Sequence, residues 1–212
     1  MAILRFTMPN LGLINILVPF FFFFLLDKII RLKDSKIATL EAQRVNLFHK
    51  LSHLSIEELH HQPEIGKWSI IKIVTHMILS EEKSVAYVLK KTQYPENLKT
   101  VGLKTYVLLK IMQVYLSINL KAKSSAAVNP ISSGESSLED LEKRWTSSRI
   151  ELENLSKLSP SILNKGIFKH PKVGYMNLDQ MLSFFSSHYG HHLKQISAIV
   201  EMPKDLVKVV AL

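Results

Sequence analysis

Hydrophobic residues recur along this chain at helical spacing over long stretches, and the two-residue alternation of strands is scarce. The pattern predicts a first helix from about Asp34 to His53, with Ile37, Leu40, Val45, Leu47, Phe48 and Leu51 as buried candidates. Ser55 and Glu58 form a capping-box pattern that opens a short turn, LSIEELHHQ, stopped by Pro63. Ser69 can cap a second long helix, from about Ile70 to Lys91, whose apolar side carries Ile70, Ile71, Val74, Ile78, Val85 and Val88. Tyr94-Pro95 breaks that pattern. Leu98 to Lys123 is a further helical run with a broad apolar side, and it fades into the loop-like stretch SSAAVNPISSGESS. Ser136 and Ser137 stand three before Glu139 and Asp140, so a capped helix starts there and runs to about Lys157, with Pro160 beyond it. A loop with Gly166, His170-Pro171 and Gly174 leads to Asn177, which can cap the last helix, Leu178 to Glu201, ended by Pro203. The tail DLVKVVAL has no clear assignment. The expected architecture is all-α: an antiparallel four-helix bundle with an extra helix between bundle helices 2 and 3.

The N-terminus reads differently. Leu11 to Leu26, LGLINILVPFFFFFLL, carries no charge. Sixteen helical residues span about 24 Å, short of the roughly 30 Å hydrocarbon core, and flanking Met8, Pro9, Ile29 and Ile30 bring the segment close to spanning. It reads as a membrane anchor, as an extension upstream of the true start, or as a signal peptide, although no small-residue cleavage site follows it. Lys28, Arg31, Lys33 and Lys36 follow it against Arg5 before it, so a spanning segment would leave the globular part on the cytoplasmic side. The chain then divides into an apolar segment (1–32), a helical domain (33–202) and a tail (203–212). Its expected location is the cytoplasm, or the cytoplasmic membrane face if 11–26 spans.

Composition removes some chemistry. No cysteine is present, which excludes disulfides, a thiolate nucleophile and cysteine-ligated zinc. Any metal must be held by histidines and carboxylates. The net charge of +9 is spread along the chain without an Arg-rich or aromatic-interleaved stretch, so a solvated basic surface is expected and a nucleic-acid partner is not.

Candidate chemistry lies in the stretch SSHYGHHLKQI. On a helical wheel at about 100° per residue, His192 falls within about 30° of the centre of the apolar side and His188 within roughly 70°, whereas His191 lies about 130° away and is expected to face solvent. Imidazoles at i and i+4 on one face can share a metal, as in the HExxH helix, but the glutamate of that motif is absent. A single inward histidine is ordinarily a hydrogen-bonded core residue. Two at ligand spacing put a ligand pair on an equal footing, because burying imidazoles without partners is costly. For a third ligand the wheel leaves several histidines open: it sets His76 among Lys72, Ser80 and Lys83, nearly opposite the apolar side, and does not favour it over His53.

Trp68-Ser69 at the start of the second helix, His76 eight residues after the Trp, the acidic stretch Ser80-Glu81-Glu82, the pair His188 and His192 followed by Gln195, and the loop FKHPKVGYMN occur in a telling order. Together they resemble the DinB-like superfamily of metal-binding four-helix bundles, over about Lys33 to Val200. That resemblance implies a three-histidine divalent-metal site formed by His76, His188 and His192, holding zinc or nickel. It also implies thiol-dependent transferase or isomerase chemistry with a low-molecular-weight thiol, although many members have no known activity. Three neutral imidazoles would leave the ion an open position, suited to S-transferase or hydrolase chemistry; a fourth protein ligand such as His53 or His170 would instead speak for a non-catalytic, structural centre. Glu81, Glu82 and Asp179 are candidate bases, each expected to be surface charge. The expected partners are a small-molecule substrate, a membrane if residues 11–26 tether the chain, and a second copy in a homodimer.

Overall fold

The structure is a computed structural model that describes residues 34–118, 128–130 and 137–201. The apolar segment 11–26 and the tail 203–212 lie outside them, so the anchor reading falls on residues that are not described. Among the described residues no helix is long and apolar enough to cross a membrane.

The described chain is mostly helical, as the periodicity predicts. A first helix, α1, covers residues 34–51. Then come α2 (Ile56–His60), α3 (Ile70–Thr92), a 3-10 turn (Pro95–Asn97), α4 (Leu103–Ser117), α5 (Leu138–Ser156) and α6 (Pro160–Leu163). A two-stranded ribbon, β1 (Phe168–His170) and β2 (Gly174–Met176), precedes α7 (Leu178–Val200). The predicted caps are made. Ser55 and Glu58 close a capping box, Ser69 accepts from the Lys72 amide and Ser137 from the Asp140 amide, and Asn177 with Gln180 forms a second box at the start of α7.

α3 packs against both α5 and α7, and α4 packs along α7. α4 follows α3 in sequence and covers α7. α1 joins through Phe48, whose ring meets Trp145 of α5 edge-on at 6.0 Å, and through Gln43, whose carbonyl accepts from the Tyr189 hydroxyl at 2.7 Å. Two apolar clusters form the core. One gathers Val85, Val88, Leu152, Met176, Met181 and Leu182; the other gathers Phe48, Val74, Ile78, Leu141, Trp145 and Ile196.

Three local expectations are corrected. Val45 is 50% exposed while Arg44 beside it is buried, held by Glu41 and near Glu142, because long stems can cover apolar surface that the wheel assigns to valine. α4 starts at Leu103 rather than Leu98: Pro95 nucleates a 3-10 turn, and the Lys99 carbonyl is taken by the Gly166 amide at 2.7 Å. The loop around His170-Pro171 is a β-hairpin, with Phe168 paired to Met176 and Gly174 at φ 93°, a left-handed conformation that favours glycine.

Two substitutions test this packing. Leu152→Ala empties a fully buried position and should cost about 2–5 kcal/mol, whereas Asn177→Ala should cost about 1 kcal/mol through the lost cap, both read from denaturant midpoints.

Candidate metal centre

His76 projects from the second turn of α3, and His188 and His192 from successive turns of α7. Packing of α3 on α7 brings the three rings together. His188 Nε2 lies 3.3 Å from His76 Nε2 and 3.0 Å from His192 Nε2, and one ring nitrogen from each of the three lies within 4.8 Å of the others. Ring centroids are 4.5–5.2 Å apart at steep interplanar angles, which aims edges rather than faces at the shared point.

The other ring nitrogens decide what those edges carry. His76 Nδ1 lies 2.8 Å from the Val128 carbonyl, which can only accept, so Nδ1 bears the proton and Nε2 a lone pair. His192 is fixed by a longer relay. His191 Nδ1 donates to the Leu116 carbonyl at 3.1 Å, leaving His191 Nε2 an acceptor. The Gln195 amide nitrogen donates to it at 3.1 Å, which turns the Gln195 oxygen toward His192 Nδ1 at 2.8 Å. His192 Nδ1 is therefore protonated, and its Nε2 presents a lone pair to the centre. One proton on His188 Nε2 could not satisfy both neighbours well. Two or three lone pairs converging in a buried space suit a cation.

Electrostatics agree. Burial pushes the His192 pKa down to about 3, with His76 adding to the shift. Burial also lowers the pKa of His76, and lowers that of His188 well below the usual range. All three are neutral at neutral pH, the state a metal ligand requires. Among the described residues no further His, Asp or Glu joins the group. His170 stands apart: its ring lies tilted at 56° to Phe184 with centroids 4.7 Å apart, and its Nδ1 accepts from the Lys172 and Val173 amides. His53 is exposed at the end of α1, against His49.

Two sequence expectations fail here. His191 does not face solvent but is buried, because α4 covers the face of α7 that the wheel assigned to water. His76 is also buried, against its wheel position, because His188 and His192 of α7, the Trp68 ring and the Val128 carbonyl cover it, while Lys72, Lys83, Tyr87 and Lys90 elsewhere on that stripe of α3 stay exposed. The sequence held one hint of the relay, the spacing of His191, His192 and Gln195 within one turn.

A family model described as the DinB superfamily matches residues 39–196, most of the chain. The chain belongs to the DinB superfamily. No curated protein and no solved structure matches it. The superfamily binds metals, and the donor set fits that property.

Near the three histidines lies a group that sequence reasoning placed on the surface. Glu81 is buried, with Arg149 Nε 2.9 Å from its Oε1, and Ser148 donates to it at 3.4 Å. Glu81, Arg149, Tyr189 and His188 share a cavity of about 10 Å³, room for roughly one water. Glu82 and Asp179, by contrast, are partly exposed and paired with Arg144 and Lys36.

Metal affinity measured by competition with a chelator should collapse in His76→Ala, His188→Ala and His192→Ala. Gln195→Ala should weaken it by about 10–100-fold, the usual scale for loss of a group that orients a ligand. His191→Leu should act in the same direction, since it frees the Gln195 amide to turn. Unchanged affinity in both relay variants would show that the tautomers are not set this way.

Proposed function

We propose that the protein is a metal-dependent enzyme built on the His76–His188–His192 centre, acting on a small-molecule substrate by thiol-dependent S-transfer or by hydrolysis. The observation that carries this reading is the donor count: three neutral imidazoles converge and no fourth protein ligand joins them among the described residues. A divalent ion such as zinc or nickel held there supplies Lewis acidity with a position left for an outside ligand.

The chain's own groups would do the rest. His76 and His192 keep their lone pairs aimed inward because the Val128 carbonyl and the Gln195 oxygen hold their Nδ1 protons. Phe184 stacks on His188 at 5.5 Å and Trp68 leans on His76 at 5.0 Å, which limits water around the rings. With no cysteine in the sequence, a thiol would have to arrive as a low-molecular-weight cofactor.

One observation favours a second reading, a non-catalytic metal-binding bundle: the cavity beside His188 has space for only about one water. The two readings part on ligand access. Elemental analysis of the purified protein should find about one divalent ion per chain, lost in His188→Ala. Cobalt-loaded protein titrated with a small thiol should then develop a thiolate-to-metal absorption band. A bound ion whose spectrum ignores added thiol would sink the thiol-transferase reading and leave the closed centre.

A further inference from the structure

Away from the histidines, an open cavity of about 350 Å³ lies between the start of α4 and the turn of the β-hairpin. That volume falls within the range of small-molecule sites. Lys99, Lys104 and Lys172 line it, with Thr105, Gly174 and Tyr175, and no carboxylate contributes to the wall. A fourth cation adjoins it: Lys169 Nζ and Lys99 Nζ lie 5.5 and 5.2 Å from the centroid of the same Tyr175 ring. The described lysines elsewhere that make ion pairs, such as Lys36, Lys67, Lys143 and Lys157, each have a carboxylate at hand. None of the four lysines at this cavity makes an ion pair among the described residues.

Two further features point the same way. α4 opens on Gly102 with no side-chain cap and no acidic residue in its first turn, so the positive end of the helix is not neutralised by its own sequence. Thr105, in that first turn, is only 8% exposed, and its backbone amide is taken by the Gly102 carbonyl while its hydroxyl bonds no other described residue. It lines the cavity. A hydroxyl of a largely buried residue that opens onto a cavity is free to bond a polar ligand atom there.

We propose that this cavity binds a phosphate group, carried either by a soluble phosphate ester or by a lipid headgroup. Phosphate is favoured over a carboxylate by the type of cation. The site offers lysine ammonium groups, which act as point charges, and no arginine fork to match a planar carboxylate. The hairpin glycine keeps the backbone close: a Cβ on Gly174 would lie 3.7 Å from the Thr105 hydroxyl, inside the space the ligand would use. This site is separate from the metal centre and does not depend on it.

The test uses the isotope-labelled full chain. Inorganic phosphate should shift the amides of Lys104, Thr105 and Gly174 saturably, less so at high salt. Lys104→Gln with Lys172→Gln should weaken binding about tenfold, whereas Lys143→Gln with Lys157→Gln, which removes the same charge from α5, should not. In parallel, the wild type and both double variants are sedimented with phosphatidylcholine vesicles with and without phosphatidic acid. A phosphate-dependent amide shift supports a soluble ligand. No shift, but more sedimentation of the wild type than of the Lys104/Lys172 variant with phosphatidic acid, supports a lipid phosphate. The proposal is overturned if both double variants behave like the wild type in both arms, or if phosphate shifts only the amides around His76, His188 and His192.

Discussion

A buried imidazole has two nitrogens, and each must meet a partner of the right kind; the centre of this protein depends on that constraint. The Val128 carbonyl settles His76, and the Leu116 carbonyl settles His192 through His191 and Gln195. Both carbonyls come from backbone outside α3 and α7. The histidines are therefore oriented by the segments that pack over them as much as by the helices that carry them. Such outer hydrogen bonds fix which nitrogen can ligate, so α4 has a chemical role as well as a packing role.

The same helices are braced by a second polar group. Glu81 lies five residues beyond His76 on α3, and Arg149 faces it from α5, both about 95% buried. Burying one of these charges alone would cost several kcal/mol, so each is tolerable only while the other is present. Arg149 also lies 5.6 Å from the Trp145 ring, which ties the pair to the aromatic contact between α5 and α1. The register of α3 against α5, and hence the place of His76, is thus held by polar as well as apolar contacts.

α7 does more than any other helix here. Its buried residues include Met181, Leu182, Phe185 and Ile196, and it also carries His188, His191 and His192. α3 covers one side of it and α4 another. A helix enclosed in this way can hold three histidines on different faces and bury all of them to a large degree, which an amphipathic surface helix could not.

Much of this was legible in the sequence. Helical periodicity and capping residues located α3, α5 and α7 nearly to the residue, because caps and apolar stripes are local properties of the chain. The i, i+4 spacing paired His188 with His192 for the same reason, and the motif order pointed to the superfamily and to His76. What the sequence could not decide was anything that depends on two sides of one helix being covered. His191 and His76 looked solvent-facing, and Glu81 looked like surface charge. Each is buried because a second helix packs on the face that a single-helix wheel must assign to water. The hairpin before α7 escaped prediction too, since three-residue strands are stabilised by pairing across a turn and by contacts to α3, α4 and α7 rather than by their own pattern. The sequence by itself determined the helices, their caps and the face of α7 that pairs His188 with His192. Tertiary packing decided which histidines meet, which tautomer each holds and where the lysines of α4 and the hairpin gather, because those depend on distances between segments far apart in the chain.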